Sequence, residues 1–194
     1  RLKTLLTYGY GASRPIEPGA PQYAALEGYV DIHVPHTDCY EPIYLKRRQQ
    51  AGDEVWAYVC ISAMRPYLNV WGIDYPGLDH RLLFWQLFAH DITGFLYWEI
   101  AYWQKDPWED TMTYPGGNAD GSLIYPGKEG PVNSIRWELC RDGTEDYDML
   151  MMLRETSAAL RKGRPGPPEP LLSYPHLTRS WTEYTNDVTM LEAH

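Results

Sequence analysis

Four short hydrophobic runs in the first hundred residues have the composition of β-strands. Each is rich in β-branched and aromatic residues and stops near glycine, proline or polar residues, as strands do. The predicted strands are Lys3–Thr7, Tyr29–Val34, Glu54–Ser62 and Gly94–Ile100.

Segments with helical character separate these strands. Pro21–Glu27 is short, Glu41–Gln50 ends in basic residues that suit a helix carboxyl end, and Leu78–His90 repeats apolar residues on one face. Strands that alternate with helices predict βαβ units and a parallel sheet. We therefore expect an α/β fold.

The second half of the chain follows a different pattern. The loop Gln104–Ala119 is too long for a simple connector and is rich in proline, glycine and tryptophan, which is typical of functional or disordered loops. A brief strand is predicted at Ser122–Tyr125, and a long helix at Ser134–Ala159 with an interruption near Asp142-Gly143. Prolines in Gly163–Pro170 exclude helix and central strand. We predict a domain over residues 1–162, and a linker with a surface tail over 163–194.

Four parallel βα units are half of what a (β/α)8 barrel contains, because that fold needs eight units in about 250 residues. The 194 residues therefore predict the carboxyl-terminal half of a TIM-type barrel, closed by the long helix. An isolated four-stranded parallel sheet would expose unpaired backbone along its edges. We expect the missing amino-terminal half upstream in the same natural chain or in a second chain.

Charge and cysteine content narrow the function classes. Lys and Arg number 17 against 26 Asp and Glu, and this acidic balance argues against nucleic acid as a partner. No apolar run approaches the length of a membrane span. Cys39, Cys60 and Cys140 have no zinc-type spacing, and His33 and His36 lack a third ligand, so neither metal nor cofactor is predicted.

Tyrosine and tryptophan are abundant, with 16 and 8 residues against 3 phenylalanines. Their rings carry a polar group as well as an apolar face, so they indicate either a binding surface or a tyrosine-rich core. Strand alternation places Asp31 and His33 on one side, which we expect to face the barrel axis. The carboxyl ends of the strands would then gather a set of candidate residues. These are His33, His36, Tyr58, Trp98, Glu99, Tyr102, Trp103, Asp120 and Tyr125.

Aromatic rings with a few carboxylates and imidazoles suit a sugar, whose C–H faces stack on rings while its hydroxyls need polar partners. Trp56 and Tyr97 are expected in the core, and His33 is either a ligand contact or an interior histidine. Glu99 is a candidate carboxylate or the partner of an arginine. Hydrolysis of a glycoside usually needs two carboxyl groups. None of the adjacent acid pairs is well placed for that role, namely Asp53-Glu54, Glu109-Asp110 and Glu145-Asp146.

An ordered series of motifs resembles the family 123 glycoside hydrolases, specifically the carboxyl-terminal half of their catalytic barrel. It runs from about Lys3 to Leu153. The motifs are VDIHVP (Val30–Pro35), EVWAYVC (Glu54–Cys60), IDYPGLDHRLLFW (Ile73–Trp85), GFLYW (Gly94–Trp98) with Trp103, DGSLIYPG (Asp120–Gly127) and IRWELCRDGTEDYDML (Ile135–Leu150).

The resemblance implies a retaining exo-β-N-acetylgalactosaminidase, in which the 2-acetamido group of the sugar attacks the anomeric carbon. The Asp-Glu pair that orients this group and protonates the leaving oxygen would fall before Arg1, so this chain alone is expected to be inactive. An extracellular or periplasmic location is also implied. The sugar-binding end would be lined by Tyr58, Trp98, Trp103 and Tyr125.

The sequence also predicts a role for the last helix and leaves two alternative functions open. Four charged residues of the last helix are expected to form a barrel-closing ion network: Arg136, Glu138, Arg141 and Asp142. One alternative is a non-catalytic carbohydrate-binding or scaffold domain that uses the same aromatic residues. The other is a half barrel that completes itself by dimerising through its strand edges.

Overall fold

A four-stranded parallel sheet forms the centre of the molecule. The structure, a computed structural model, describes residues 2–9, 25–162 and 174–192. The sheet order is β1-β2-β3-β4, and all three pairings are parallel. Its strands are β1 (Leu5–Tyr8), β2 (Ile32–Pro35), β3 (Glu54–Val59) and β4 (Gly94–Tyr97). The four predicted parallel strands are confirmed, although each ends at different residues.

The remaining elements lie beside this sheet. A short antiparallel hairpin joins β5 (Ile124–Gly127) to β6 (Gly130–Asn133). The helices are α1 (Pro42–Gln50), α2 (Gly77–Ala89), α3 (Ile135–Arg161) and α4 (Val188–Glu192), with a 3-10 turn at Thr37–Cys39. Of the predicted helix Pro21–Glu27, residues 25–27 are turn and the others lie outside the described residues. Gly163–Pro170 also lies outside them.

Capping residues explain where α1 and α3 begin. The Glu41 carboxylate accepts hydrogen bonds from the backbone N–H groups of Ile43 and Tyr44, and Pro42 occupies the first turn, where its missing N–H costs nothing. Ser134 Oγ accepts from the Trp137 N–H at 3.2 Å. These contacts satisfy N–H groups that have no partner inside the helix.

The α3 helix runs without a break through Asp142-Gly143, so the predicted interruption is wrong. Gly143 is the point where α3 packs closely on α2. A Cβ atom at this position would lie 2.9 Å from the Arg81 carbonyl oxygen and would overlap the Phe84 ring. Glycine is present because the two helices touch here, and its weak helix propensity is overridden by packing.

A buried carboxylate fastens the same two helices. The Arg81 guanidinium donates to both Asp146 oxygens, at 2.6 and 2.8 Å, and the Trp85 indole N–H donates at 2.9 Å. Asp146 is buried. The bidentate geometry is the strongest that an arginine and a carboxylate can form.

The hydrophobic core lies between the sheet and its helices. Alternate β3 residues Val55, Ala57 and Val59 are fully buried, whereas Trp56 and Tyr58 on the opposite face are half-buried. Phe95 of β4 meets Phe84 of α2 with ring centroids 5.6 Å apart. The sheet therefore has one face covered by helices and one aromatic face.

The segment 174–192 contributes to this core, although its polar sequence predicts a surface tail. Leu177 and Leu191 are buried among the core residues. Trp181 stacks on His90 at 4.6 Å and 7°, and the Gln86 amide of α2 donates to the Ser180 carbonyl at 2.8 Å. The segment thus packs against α2.

We expect Gly143→Ala to destabilise the protein by about 1–3 kcal/mol, because the added methyl group would force α2 and α3 apart. Thr156→Ala is the matched control, since Thr156 is an exposed residue of the same helix. There the change should shift stability by less than about 0.5 kcal/mol. Urea unfolding followed by circular dichroism measures both, and equal effects would contradict the close-packing role of Gly143.

We also expect stability to fall below neutral pH because of His80. Burial lowers the pKa of His80 to about 4, although a contact of Nδ1 with the Pro76 carbonyl opposes the shift. The unfolded chain takes up this proton near pH 6.5 and the folded protein only near pH 4, so acid favours unfolding throughout that window.

The slope contributed by His80 is at most about 1.4 kcal/mol per pH unit. His80→Gln should make the decline in unfolding free energy shallower, as measured by urea unfolding at several pH values across the window. His176→Gln is the control, because His176 is an exposed histidine. An unchanged slope in His80→Gln would refute this role.

Candidate functional site

Three aromatic rings cluster where β4 ends and the long loop begins. The Trp98 ring centroid lies 4.9 Å from that of Tyr102 and 5.4 Å from that of Tyr114. Tyr102 and Tyr114 lie 6.0 Å apart. All three are half-buried, so their rings are ordered by mutual contact and keep an open surface. We call Trp98, Tyr102 and Tyr114 the aromatic cluster.

Asp120 holds Trp98 in place. Its Oδ1 accepts from the Tyr97 hydroxyl at 2.5 Å and from the Trp98 indole N–H at 3.0 Å, and its Oδ2 accepts from the Ile61 N–H at 3.2 Å. Burial, reinforced by the Asp120 charge, raises the pKa of Tyr97. Asp120 is only 1% exposed, so it acts as a positioning carboxylate behind the cluster.

A second aromatic pair stands at the β5–β6 hairpin. The Trp108 and Tyr125 centroids lie 4.8 Å apart at 46°, and the Trp108 indole donates to the Pro126 carbonyl at 2.7 Å. Trp103 donates similarly to the Ile124 carbonyl at 3.1 Å. Trp108 is 56% exposed whereas Tyr125 is buried. The sequence predicts that this loop is functional or disordered but does not single out Trp108, because nothing in the local pattern fixes its partner.

Tyr58 points from the open face of the sheet toward His36. The two rings meet edge-on at 4.4 Å, and burial raises the pKa of Tyr58. His36 Nδ1 lies 2.5 Å from Ser62 Oγ. A Cβ on Gly9 would lie 2.7 Å from the His36 ring, so the chain after β1 approaches this histidine closely. His36 and Tyr58 are thus held together at the carboxyl end of β2 and β3.

His33 lies on the other face of the sheet, so its expected orientation toward the barrel axis is wrong. It is 0% exposed, pairs in register with buried Val55, and meets the Tyr44 ring of α1 at 5.7 Å. Its Nε2 lies 3.3 Å from Asp53 Oδ2. Burial lowers the pKa of His33, and the Asp53 charge opposes that shift. Because Asp53 supplies a polar partner on this face of the sheet, His33 can occupy a buried position beneath the helices.

Glu99 is exposed at the end of β4. Its carboxylate accepts from the backbone N–H groups of Ile100 and Ala101, at 2.8 and 3.1 Å. Within the described ranges it forms no ion pair, so the expected arginine partner is not seen there. These contacts order the start of the loop, and among the described residues nothing binds the second oxygen of the Glu99 carboxylate.

The adjacent acid pairs have structural partners. Asp53 pairs with Arg48 at 2.6 Å, and Glu54 pairs with Lys3. Asp110 pairs with Lys105 at 2.6 Å. With Asp146 bound to Arg81, each pair holds at least one carboxylate that serves the fold.

Arg136 is almost entirely buried and organises the loops around the site. Its guanidinium donates to the carbonyl oxygens of Trp71 and Ser122, both at 2.5 Å, and to that of Ala119 at 3.2 Å. The Tyr125 hydroxyl lies 3.3 Å away. Its expected place in an ion network is therefore wrong, because its partners are backbone and hydroxyl groups.

Arg141, by contrast, is exposed and pairs along the helix surface. Its partners are Glu138 and Asp142, both at 3.1 Å, and Glu145 at 3.6 Å. The predicted ion network is thus reduced to these surface contacts.

No group of three or more His, Cys, Asp or Glu residues in the described parts of the chain could hold a metal ion. In the same parts, every helix is too short or too polar to cross a bilayer.

A model of the glycoside hydrolase 123 catalytic domain matches residues 19–153. The chain belongs to this family. Among solved structures with a similar fold is a family 123 glycoside hydrolase from Clostridium perfringens, described in a study of glycolipid glycan hydrolysis. Sequence identity is 19% and the TM-score is 0.54. The similarity covers 74% of this chain and 28% of the clostridial one. No curated protein matches the sequence.

Family membership places the aromatic cluster in a family 123 catalytic domain, and Arg136 is the residue on which its loops depend. We expect Arg136→Met to lower the unfolding free energy by at least about 2 kcal/mol, because it leaves buried carbonyl groups without a donor. Arg141→Met is the control on the same helix and should cost less than about 1 kcal/mol. Similar losses in urea unfolding would contradict the role given to Arg136.

Proposed function

We propose that this chain is the carboxyl-terminal half of a (β/α)8 glycoside hydrolase barrel and that its aromatic cluster binds the sugar. Membership of the glycoside hydrolase 123 catalytic-domain family is the observation that carries this proposal. In such barrels the active site lies at the carboxyl ends of the strands. Trp98 directly follows β4, and Tyr58 lies near the carboxyl end of β3.

The aromatic residues have the chemistry of a saccharide site. Trp98, Tyr102 and Tyr114 offer apolar faces for sugar C–H groups, and the Tyr102 and Tyr114 hydroxyls can exchange hydrogen bonds with sugar hydroxyls. Asp120 fixes the Trp98 indole beforehand, so little entropy is lost when a ligand stacks on it. Trp103 and Trp108 extend the aromatic surface along the hairpin.

The free sheet edges support an incomplete barrel. Among the described residues, β1 and β4 each pair with one neighbour, and Leu5 and Leu6 of β1 are exposed. Beside β4 lies an open apolar hollow of about 730 Å³. Its walls include Phe84, Phe95, Leu123, Trp137 and Cys140. An amino-terminal half, from the same chain or a second one, would pair with these edges and cover the hollow.

We further propose retaining, substrate-assisted hydrolysis of β-N-acetylgalactosaminides. The 2-acetamido oxygen of the substrate attacks the anomeric carbon, and the leaving oxygen takes a proton from an acid in the missing half. The structural partners of Asp53, Asp110 and Asp146 support an external acid, because each carboxylate is already bound to a cation. The residues of this chain would stack and orient the sugar.

A non-catalytic carbohydrate-binding role is the second candidate. The same ion pairs favour it, because each adjacent acid pair has a carboxylate bound to a cation. Among the described residues, the aromatic surfaces are then left without a free pair of carboxylates. Binding of N-acetylgalactosamine without turnover by the full-length protein would support this alternative.

The test compares residues 1–194 with the natural polypeptide that contains the upstream half, using nitrophenyl β-N-acetylgalactosaminide as substrate. We expect turnover only by the longer protein. In that protein Trp98→Ala should lower kcat/KM by about tenfold or more, whereas Trp98→Phe, which keeps an aromatic face, should lose less. Turnover by residues 1–194 alone would overturn the assignment of the acid to the missing half.

A further inference from the structure

Cys60 lies directly after β3 in a cluster of polar side chains. Its sulfur is 3.7 Å from His36 Nε2 and 3.4 Å from Ser62 Oγ. The opposite ring nitrogen of His36 lies 2.5 Å from Ser62 Oγ and 3.7 Å from an Asp38 carboxylate oxygen. A thiol and an imidazole therefore lie side by side, with a hydroxyl in contact with both, and a neighbouring imidazole is what activates a sulfur nucleophile.

The surroundings of Cys60 favour its ionised form. Partial burial opposes ionisation, but hydrogen bonds from His36 and Ser62 outweigh it and hold the pKa of the thiol below its ordinary value. Cys60 is half-buried, so part of the residue is in contact with solvent. Since the thiolate is the reactive form of cysteine, both conditions for reactivity are met.

The other two cysteines have different surroundings. Cys39 is buried, and its thiol donates to the Asp38 carboxylate at 3.3 Å. Burial raises the pKa of Cys140 on α3 to about 12. The protein therefore contains two internal controls for any reaction at Cys60.

We propose that Cys60 is a nucleophilic modification site for soft electrophiles, and for peroxides in particular. The Cys60 thiol gives its proton to the His36 imidazole, and the thiolate sulfur attacks one oxygen of hydrogen peroxide, so an S–O bond forms as the O–O bond breaks. Sulfur is oxidised by two electrons to sulfenic acid, and the departing hydroxide takes the proton of the His36 imidazolium and leaves as water. The reactivity of this thiol does not depend on whether a glycan binds at the aromatic cluster.

The test measures alkylation of the intact protein by limiting iodoacetamide, with each cysteine followed by peptide mass spectrometry. We expect native Cys60 to react about tenfold faster than Cys39 and Cys140, and faster than Cys60 in the urea-unfolded protein. Exposure alone cannot produce the second difference, because unfolding increases access to the sulfur. Native Cys60 reacting more slowly than unfolded Cys60 would overturn the proposal.

Two variants test the partners. His36→Asn should reduce the rate at native Cys60 about tenfold, and Ser62→Ala, a smaller change, should reduce it less while the thermal unfolding midpoint stays near that of the unmodified protein. Dimedone should trap a sulfenic acid at Cys60 after peroxide treatment and none in Cys60→Ser. Unchanged rates in both folded variants, or dimedone adducts spread equally over three cysteines, would count against the site.

Discussion

The candidate site depends on one buried cation that reaches into the loops from the first turn of α3. The Arg136 guanidinium binds the carbonyl groups of Trp71, Ala119 and Ser122 and so joins the segments after β3 and β4. Removing a guanidinium from water is costly unless its N–H groups find acceptors. The loops that supply these carbonyl groups must therefore fold around Arg136. Their path also fixes the positions of Asp120 and the aromatic cluster.

Local patterns predicted the parts of the fold that depend on local chemistry. The parallel strands and α2 were predictable because apolar periodicity and turn residues are recorded in neighbouring positions. His33 and Gly143 were misread because their roles depend on distant contacts, with Asp53 in one case and Phe84 in the other. A polar residue at an alternating strand position gives the same sequence pattern in two cases: when its side chain faces an open site, and when it faces a polar partner beneath a helix.

Several residues of the proposed site could be named from the sequence, and their role in binding stays a prediction. Trp98, Tyr102 and Tyr58 stand out by residue type and by position at strand ends. Asp120 and Trp108 are fixed by partners more than ten residues away, namely Tyr97 and Pro126. No spacing rule encodes such contacts, so a carboxylate behind an indole could not be distinguished from one that contacts a ligand.

The packing of residues 174–192 also constrains the order in which this chain can fold during synthesis. Leu177, Trp181 and Leu191 cover α2, yet they are translated long after it. The part of α2 that contacts this segment therefore stays uncovered until residues 174–192 have been synthesised. A nascent chain that pauses before that point would expose hydrophobic surface of the kind that chaperones bind.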